Sequence, residues 1–548
     1  MILRGVLALL RLFLLLFCLS ADILPPKPQA GGSPQKYGEK KSDNAGFAQK
    51  SSDEGRAALS KTESANSTNL GRAEKIEIWV DNQSLHASDR NIGSSESPLR
   101  TITAAVRKAI REVGAGEAII RVFPGIYRES VFVPNFVGGG KITIRGESAE
   151  NTIISGGDLL AYWRECGTSP DGATLFSHDD IFPEQEKTGI FYVGKSRQTK
   201  TLADWPNPGE WLIRDGLLIW RPPTALDWKH AEIVAPVRPY PTENEITALF
   251  LISAGRLELE SLTLNYSARA HAVVAVDGAS EVTFRNLRLS SNLAPGFAVI
   301  GKSAGNKKCR ILLDHVRIFG SSEDCFLSAR NAEIILQDCV MDQSEGISNT
   351  SQNNKVPEPL IKISGDGALS ISRTLFASSQ KLARFDFAST DQIVLRSNTY
   401  LNSGGSIQFV FSHGNVTVEE NFFLSDDQQA VGITIFEVNT PEIGFFPVLR
   451  GNTFQSHVFL HSAGGLFSQA DVHPLPDSVF GGWRLEDNCL AEKCELEVVQ
   501  TNPSIPAPGI HKPQQLQAKL LVNATKCDPE RILQAVVSAR EKLRLLRD

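Results

Sequence analysis

The chain has 548 residues, a formal net charge of -6, 43 glycines and only two methionines. This length requires several domains or one long array of repeats, and the composition is typical of short strands joined by turns rather than of a helical protein. The mild negative charge excludes the basic footprint of a nucleic-acid-binding protein, so we expect no nucleic-acid partner.

A targeting segment is predicted over residues 1–21. Arg4 and Arg11 accompany a leucine-rich run that ends in Cys18-Leu19-Ser20-Ala21. A charged start, an apolar centre and small residues after it are typical of a secretory signal peptide, so we expect a secreted, cell-envelope or periplasmic protein. An uncleaved signal anchor is the alternative. It would be the only membrane contact, because no other stretch is long and apolar enough to span a bilayer.

Residues 22–75 are predicted to be a disordered linker, and residues 76–162 an N-terminal cap with the first rungs of a repeat. The linker is rich in Ser, Lys, Gly and Asn and has no apolar periodicity. After a predicted strand at Ile76–Val80, apolar residues recur at helical spacing between Ile102 and Ile110. This spacing predicts a short amphipathic capping helix.

Residues 163–240 are predicted to form a small β insertion of the sandwich type, because the rung pattern stops there. Asp215-Gly216 between two apolar runs is a hairpin signal. Four tryptophans in the later part of the insertion could stack on sugar rings, although a place in the core is the favoured interpretation for each. They are Trp205, Trp211, Trp220 and Trp228.

The main repeat spans residues 241–500 and follows the pattern Φ-x-Φ-x-x-Φ-x-Φ, where Φ is usually apolar. Each Φ-x-Φ is one short strand, because alternate residues of a strand share a face, and the two-residue gap changes the phase as a turn would. A third alternating run precedes most copies. Three strands per turn then wind into a parallel β-helix whose stacked rungs close one core. Clear copies are Leu257-Leu259-Leu262-Leu264, Val282-Phe284-Leu287-Leu289, Ile311-Leu313-Val316-Ile318 and Ile393-Leu395-Asn398-Tyr400.

The third Φ position becomes asparagine in the later copies, at Asn398, Asn421, Asn452 and Asn488. A column of asparagines inside a bend can hydrogen-bond along the stack and satisfy the backbone groups of the turn. The alternative is that asparagine is simply common in turns.

Residues 501–548 are predicted to be an extended segment followed by a helix. Asp528-Pro529-Glu530 is a helix start, with Asp as the cap and Pro in the first turn. We expect the helix to cover the open end of the solenoid, where strand edges would otherwise be unpaired. A partner-binding helix is the alternative. Cys489 could form a disulfide with Cys494 or with Cys527.

The run Asp89–Val133 resembles the N-terminal cap and first rung of the secreted right-handed parallel β-helix proteins of the pectin-lyase-like superfamily. The matching elements are Ser97–Ile102, which leads into a helix, and Phe123–Glu129. With the rungs, the resemblance covers most of residues 76–500. The expected fold class is therefore all-β, a right-handed parallel β-helix with an N-terminal capping helix, a small β-sandwich-like insertion and a C-terminal α-helix. This fold hosts lyases, hydrolases and non-catalytic proteins, so it implies no single activity.

A candidate site follows from the run that precedes each signature, if its alternate residues face solvent. Charged groups then cluster on three adjacent rungs about 4.8 Å apart, with the backbones of Asp324 and Asp386 about 10 Å apart. The residues expected on this face are Val273, Ala275, Phe297, Val299, Asp324, Phe326, Lys362, Arg384, Asp386, Gln408 and Val410.

Two chemistries fit this cluster. In a hydrolase, Asp324 and Asp386 would be the paired carboxylates, with Glu323 as a substitute for one of them. In a lyase, Lys362 or Arg384 would remove the proton next to a uronic carboxylate, or Arg384 would clamp that carboxylate. A mutual salt-bridge ladder on a solvated face is the non-catalytic interpretation. No cofactor is expected, and calcium is an open alternative because the carboxylates are suitable ligands but no loop has calcium spacing.

The segment Phe411–Phe423 resembles a rung of polysaccharide lyases of the chondroitinase B and alginate lyase type, on the strength of His413-Gly414-Asn415. That family usually has an arginine before this motif, where this chain has Ser412, and a lysine one rung earlier, where it has Phe385-Asp386-Phe387. The resemblance implies a lyase in which Lys362 and Arg384 would replace the missing pair.

The leading hypothesis is a secreted, monomeric glycoside hydrolase or polysaccharide lyase that acts on an acidic or decorated polysaccharide. The alternative is a non-catalytic surface protein that binds glycans or mediates adhesion. The disordered linker and the end-covering helix would suit display of such a protein.

Overall fold

The structure, a computed structural model, describes a part of the chain that lies within one compact unit, Gly71–Asp548. The described residues are 75–136, 139–179, 190–193, 196–224, 227–235, 242–243, 246–253, 255–267, 272–279, 281–292, 296–301, 309–319, 326–342, 361–377, 383–401, 405–411, 415–424, 431–436, 448–455, 458–463, 479–480, 483–491, 496–501, 518–521 and 525–547. The predicted signal peptide and nearly all of the predicted linker lie outside them. In the described ranges, no helix has the length and apolar character needed to cross a membrane.

The N-terminal end of the fold is a capped stack of strands. Its elements are β1 (Lys75–Val80), α1 (Ile102–Glu112), β2 (Glu117–Val122), β3 (Gly125–Tyr127), β4 (Val131–Val133), β5 (Lys141–Gly146) and β6 (Thr152–Ser155). The hydroxyl of Thr101 accepts a hydrogen bond from the backbone N–H of Ala104 at 3.1 Å, which caps α1. Ile102 and Val106 of α1 are buried in the core that β1 and β2 share. The predicted capping helix is therefore confirmed.

The insertion is one eight-stranded sheet with its own core. Its strands are β7 (Asp158–Leu159), β8 (Arg164–Thr168), β9 (Thr174–His178), β10 (Ile190–Val193), β11 (Ser196–Lys200), β12 (Glu210–Arg214), β13 (Leu217–Trp220) and β14 (Ile233–Ala235). The predicted hairpin joins β12 and β13 through Asp215 and Gly216, which both have positive φ. Trp211 and Trp220 are fully buried in the core of the insertion, so neither can stack on a sugar, whereas Trp205 is exposed.

The main repeat continues as a long series of short strands. They are β15 (Thr242–Glu243), β16 (Ile246–Ile252), β17 (Arg256–Glu260), β18 (Thr263–Asn265), β19 (Ala272–Asp277), β20 (Glu281–Arg285), β21 (Arg288–Ser290), β22 (Phe297–Ile300), β23 (Cys309–Asp314), β24 (Arg317–Phe319), β25 (Leu327–Arg330), β26 (Ala332–Gln337), β27 (Val340–Asp342), β28 (Ile361–Ser372), β29 (Leu375–Ala377), β30 (Ala383–Arg396), β31 (Thr399–Leu401), β32 (Gly405–Phe411), β33 (Asn415–Glu419), β34 (Phe422–Leu424), β35 (Val431–Phe436), β36 (Val448–Arg450), β37 (Thr453–Phe454), β38 (Val458–Ala463), β39 (Val479–Phe480), β40 (Trp483–Glu486), β41 (Cys489–Leu490) and β42 (Leu496–Thr501). The chain ends in β43 (Ala518–Leu521), β44 (Thr525–Lys526) and helix α2 (Pro529–Arg547).

These strands stack in parallel into three sheets that run the length of the molecule. Sheet 1 has the order β1-β2-β5-β17-β20-β23-β26-β28-β30-β33-β36-β40. Sheet 2 has the order β4-β16-β19-β22-β25-β28-β30-β32-β35-β38-β42. Sheet 3 has the order β3-β6-β18-β21-β24-β27-β29-β31-β34-β37-β41-β44. The fold is a right-handed parallel β-helix, as predicted, and β28 and β30 each contribute to both sheet 1 and sheet 2.

The repeated signature maps directly onto two of the three sheets. Leu257 and Leu259 lie in β17 of sheet 1, whereas Leu264 lies in β18 of sheet 3, and all three are buried in the common core. Ser261, in the two-residue gap, has a φ of 56°, so the gap is the turn between the sheets. The insertion does not interrupt the stack, because β5 pairs with β17 and β6 pairs with β18.

The predicted asparagine column is confirmed as a continuous hydrogen-bonded ladder inside this turn. Each side-chain Oδ1 accepts a hydrogen bond from a backbone N–H one rung earlier, and each Nδ2 donates to a backbone carbonyl. The Oδ1 bonds are Thr374 N to Asn398 at 2.9 Å, Asn398 N to Asn421 at 2.9 Å, Asn421 N to Asn452 at 3.0 Å and Asn452 N to Asn488 at 3.1 Å. A column of stacked rings, Phe376, Tyr400, Phe423 and Phe454, lies in sheet 3 of the same rungs.

Helix α2 lies along the side of the solenoid, so the expectation that it covers the open end is wrong. Ile532, Val536, Ala539 and Leu543 pack on an apolar stripe of sheet 3. That stripe contains Phe319, Val340, Leu375, Ala377, Leu401 and Leu424. A helix of 19 residues is about 28 Å long, which matches about six rung spacings. A disulfide between Cys489 and Cys527 fixes the start of α2 to the last rungs of sheet 3.

Candidate functional site

The sequence analysis places the candidate residues on the outer face of sheet 2. The structure shows that some of the residues predicted to be exposed on this face are buried. Val273 and Ala275 were expected to face solvent but are buried. Phe297 and Val299 were also expected to face solvent, but both are buried in the solenoid core. Ala298 and Ile300 alternate with them and are partly exposed. Phe326, also expected outside, is fully buried before β25 begins.

Lys362 is exposed on this face and lies in register with Arg384. Its chain neighbours Ile361 and Ile363 are buried, which fixes the phase of the strand. In the parallel pairing of β28 with β30, Lys362 aligns with Arg384. The pairing of β28 with β25 aligns Lys362 with Ser328 on the other side. Two cationic residues therefore occupy the same position on adjacent rungs, with backbones about 4.8 Å apart.

Asp386 lies two positions after Arg384 in β30. It aligns with Ser364 of β28, and Ser364 aligns with Arg330 of β25, which is exposed. Three cationic residues, Arg330, Lys362 and Arg384, thus lie on three successive rungs, in register with Asp386 or two positions from it. We call this set, with Asp386, the sheet 2 strip.

Asp324 and its substitute Glu323 lie outside the described residues, so their pairing with Asp386 stays a prediction. By register, the residue two rungs from Asp386 is Arg330, which follows Asp324 by six positions. The motif at Ser412, His413 and Gly414 also lies outside the described residues, and the lyase arrangement that it implies stays a prediction as well.

Sheet 1 carries a second charged face, which the sequence analysis did not identify. Its outward residues form ion pairs with neighbours on adjacent rungs, which are either in register or two positions away along the strand. These pairs are Arg121–Glu77 at 3.0 Å, Lys141–Glu258 at 2.5 Å, Arg145–Glu260 at 2.6 Å, Arg256–Glu281 at 3.4 Å, Arg285–Glu258 at 2.8 Å, Arg285–Asp314 at 3.2 Å, Arg310–Glu333 at 3.3 Å, Arg396–Glu419 at 3.3 Å and Arg450–Glu419. We call this set the sheet 1 ladder. The signal for it was present in the sequence, because charges of opposite sign recur at the same outward position of successive copies.

The ladder shifts the acidity of its own carboxyl groups. Hydrogen bonds from Arg121 lower the pKa of Glu77. For Asp314, burial opposes the charged form, but hydrogen bonds from His315, Gln337 and Arg285 outweigh burial and lower the pKa. These groups are held in their charged forms by fixed partners, which is a structural role rather than that of a proton donor or acceptor.

Asp314, His315 and Asp338 are the described side chains that come closest to a metal-binding arrangement, with ligand atoms within 4.8 Å of one another. However, Arg285 donates a hydrogen bond to the carboxylate of Asp314, and Arg373 donates two hydrogen bonds to Asp338, at 2.8 and 2.7 Å. Because the arginines already neutralise both carboxylates, this group is better explained as part of the ion-pair network than as a calcium site.

Comparisons with known proteins give similarities of fold. No protein-family model matches the chain, and no curated protein matches its sequence. A glycoside hydrolase structure matches with a TM-score of 0.38 and 12% identity over 75% of this chain and 96% of its own. XylC in complex with xylose matches with a TM-score of 0.45 and 9% identity over 78% of this chain and 71% of its own. Escherichia coli ybhc matches with a TM-score of 0.32 and 15% identity over 77% of this chain and 85% of its own. The strand pairing described above establishes the β-helix without them.

Proposed function

We propose that the protein is a carbohydrate-active β-helix protein that binds an acidic polysaccharide along sheet 2 and cleaves it as a glycoside hydrolase or polysaccharide lyase. The observation that carries the proposal is the register of Lys362, which is exposed, with Arg384 on the adjacent rung. Two cationic residues at one position of adjacent rungs present donors for an anionic ligand at a fixed spacing. A uronate or sulfate group on a glycan supplies such an anion.

The geometry of a long parallel sheet suits a polymer rather than a small ligand. Successive rungs offer outward positions at a constant spacing of about 4.8 Å, so a chain lying across them meets Arg330, Lys362 and Arg384 in turn. Arg384 would hold the substrate carboxylate through its planar guanidinium. Asp386, with Asp324 or Glu323, would supply the acid and base of a hydrolase, whereas Lys362 would act as the base of a lyase.

Secretion or residence in the cell envelope is part of the same proposal. The Cys489–Cys527 disulfide supports it, because such bonds persist mainly in oxidising compartments. The leucine-rich segment at residues 1–21 supports it as well. We propose that the protein acts as a monomer and meets a membrane only if that segment stays uncleaved.

A polysaccharide panel tests the activity. Purified protein is incubated with uronate-rich, sulfated and neutral polysaccharides, and both reducing ends and the absorbance of unsaturated products are followed. New reducing ends alone indicate a hydrolase, and unsaturated products indicate a lyase. Substituting Asp324→Asn, Lys362→Gln, Arg384→Gln or Asp386→Asn should lower turnover at least about 100-fold for the residues that act in catalysis.

Arg256→Gln is the matched control, since Arg256 is an exposed cation of the sheet 1 ladder. It should leave turnover unchanged. Full activity in all four variants would reject the sheet 2 strip as the active site. Binding without any product would favour the non-catalytic glycan-binding protein.

A further inference from the structure

A cleft lies between helix α2 and the turns that connect sheet 1 to sheet 3. Its volume is about 380 Å³, which lies within the range of sites for small ligands. Arg531, Gln534, Ser538 and Lys542 line it from the helix. Arg373, Thr374, Thr399 and Phe422 line it from the solenoid. This set contains three cationic side chains and no acidic one.

The cations lie at the two ends of the cleft rather than at one point. Arg531 and Lys542 are eleven residues apart on one helix, which separates them by about 16 Å along the axis. Arg531 places its guanidinium over the ring of Phe422, 5.4 Å from the centroid. Arg373 is near enough to Lys542 to influence its charge. Between the two ends lie hydrogen-bonding groups of Gln534, Ser538 and Thr399.

The ammonium group of Lys542 is the most informative feature of the cleft. Burial lowers its pKa, so the folded protein disfavours its charge. Asp338 attracts the ammonium, but that carboxylate is already engaged by both guanidinium contacts of Arg373. Among the described carboxylates, none forms an ion pair with Lys542. A half-buried charge without its own counterion costs stability, and an anionic ligand in the cleft would remove that cost.

We propose that this cleft is a second binding site for an extended anionic oligosaccharide, separate from sheet 2. The spacing of Arg531 from Lys542 selects a chain with anionic groups at both ends of the cleft over a single small anion. The hydroxyl and amide groups between them suit sugar hydroxyls. That the ligand is a glycan rests on the proposed function, whereas its anionic and extended character rests on the cleft alone. Such a site would hold the polysaccharide on the protein while another part of it lies on sheet 2.

Titration calorimetry at low ionic strength tests the proposal with defined probes. The probes are an oligogalacturonate, a sulfated dextran oligosaccharide and a neutral dextran oligosaccharide of similar length. Comparing the oligogalacturonate with the sulfated dextran shows whether the cleft recognises a carboxylate or a sulfate group. The double variant Arg531→Gln/Lys542→Gln should weaken binding of one or both anionic probes at least about tenfold. Arg540→Gln/Arg544→Gln removes the same charge from the same helix outside the cleft lining and should change binding less than about threefold.

The sheet 2 variant Lys362→Gln, measured in parallel, separates the two proposals. Loss of binding in the cleft variant with retention in Lys362→Gln supports the cleft and counts against sheet 2. Loss only in Lys362→Gln overturns the cleft and leaves the proposed function standing. Equal affinity for the neutral probe, or equal weakening in the control variant, also overturns the cleft.

Thermal unfolding of Lys542→Gln alone excludes a purely structural role. If the ammonium serves a ligand, its replacement by a neutral side chain should leave the melting temperature unchanged or raise it. A clear fall in the melting temperature would show that Lys542 stabilises the docking of α2, and would overturn the inference.

Discussion

Sheets 1 and 2 both stack their strands in parallel register, but they align different combinations of charged residues. In the sheet 1 ladder, Arg145 faces Glu260 and Arg285 faces Asp314 on neighbouring rungs. In the sheet 2 strip, Lys362 aligns with Arg384. Parallel in-register stacking brings together residues that occupy the same position of successive copies. Residues of opposite charge form ion pairs that stabilise the solenoid, as in the ladder, whereas two aligned cations offer a surface suited to an anionic ligand.

The asparagine column is the strongest case of pairing within the stack. Replacing Asn421 by Leu removes the acceptor for the N–H of Asn398 and the donor to the carbonyl of Leu395, and both groups are buried. Two buried groups without partners should lower the free energy of unfolding by about 3–5 kcal/mol. The midpoint of urea unfolding measures this change.

Thr417→Val is the control for that experiment, because Thr417 is a partly exposed residue of β33, the strand that precedes Asn421. It should change the free energy of unfolding by less than about 0.5 kcal/mol. Equal effects of the two substitutions would mean that the column adds nothing beyond filling the turn.

Within the sheet 1 ladder, Glu258 should matter more than the exposed carboxylates, because it is buried and contacts Lys141 and Arg285 on the rungs to either side. Glu258→Gln should lower the free energy of unfolding by about 1–2 kcal/mol, a range reduced for the solvent exposure of both cations. Glu281→Gln, which alters an exposed pair with Arg256 at 3.4 Å, should cost less than about 0.5 kcal/mol. Denaturant unfolding of both variants gives the comparison, and a larger cost at Glu281 would contradict it.

The sheet 1 ladder and the separate Asp338–Arg373 ion pair should also make the solenoid sensitive to acid. The pKa values of Glu77, Asp338 and Asp314 are lowered in the folded protein from ordinary values of 4.5, 3.8 and 3.8. A lowered folded pKa adds stability that is complete above the ordinary value and is lost as the pH falls through the folded value. Unfolding midpoints should therefore decline below about pH 4.

Asp338→Asn sharpens that measurement. It removes the carboxylate held by Arg373, so the variant should be less stable than the wild type at pH 6 and should lose less stability between pH 4 and pH 2. Parallel curves for the two proteins would show that the Arg373 contact has no part in the acid response.

Sequence periodicity predicted sheets 1 and 3 correctly because their core positions alternate with polar residues, as in Leu257-Glu258-Leu259. It failed in β22, where Phe297, Ala298, Val299 and Ile300 are all apolar. Without alternating polar residues, the sequence does not show which side chains point into the core. A one-residue change of phase moves every side chain to the other face.

The position of α2 escaped prediction for a related reason. Its apolar stripe shows that the helix packs, but the stripe does not say on what surface. The missing signal was the outward apolar residue in successive rungs of sheet 3, such as Phe319, Leu375 and Leu401. Register between rungs, which depends on loop lengths, was needed to align these residues into one stripe. The same limitation hid the opposite-sign neighbours of the sheet 1 ladder.

The smallest expected effect is the most direct test of the contrast between the two faces. Lys362→Gln should leave the free energy of unfolding within about 0.5 kcal/mol of the wild type, because Lys362 is exposed and aligns with a cation on the next rung rather than with a carboxylate. Urea unfolding measures this change. A loss above about 1 kcal/mol, comparable to that of Glu258→Gln, would mean that Lys362 stabilises the stack as the ladder residues do, and the two faces would then no longer differ in kind.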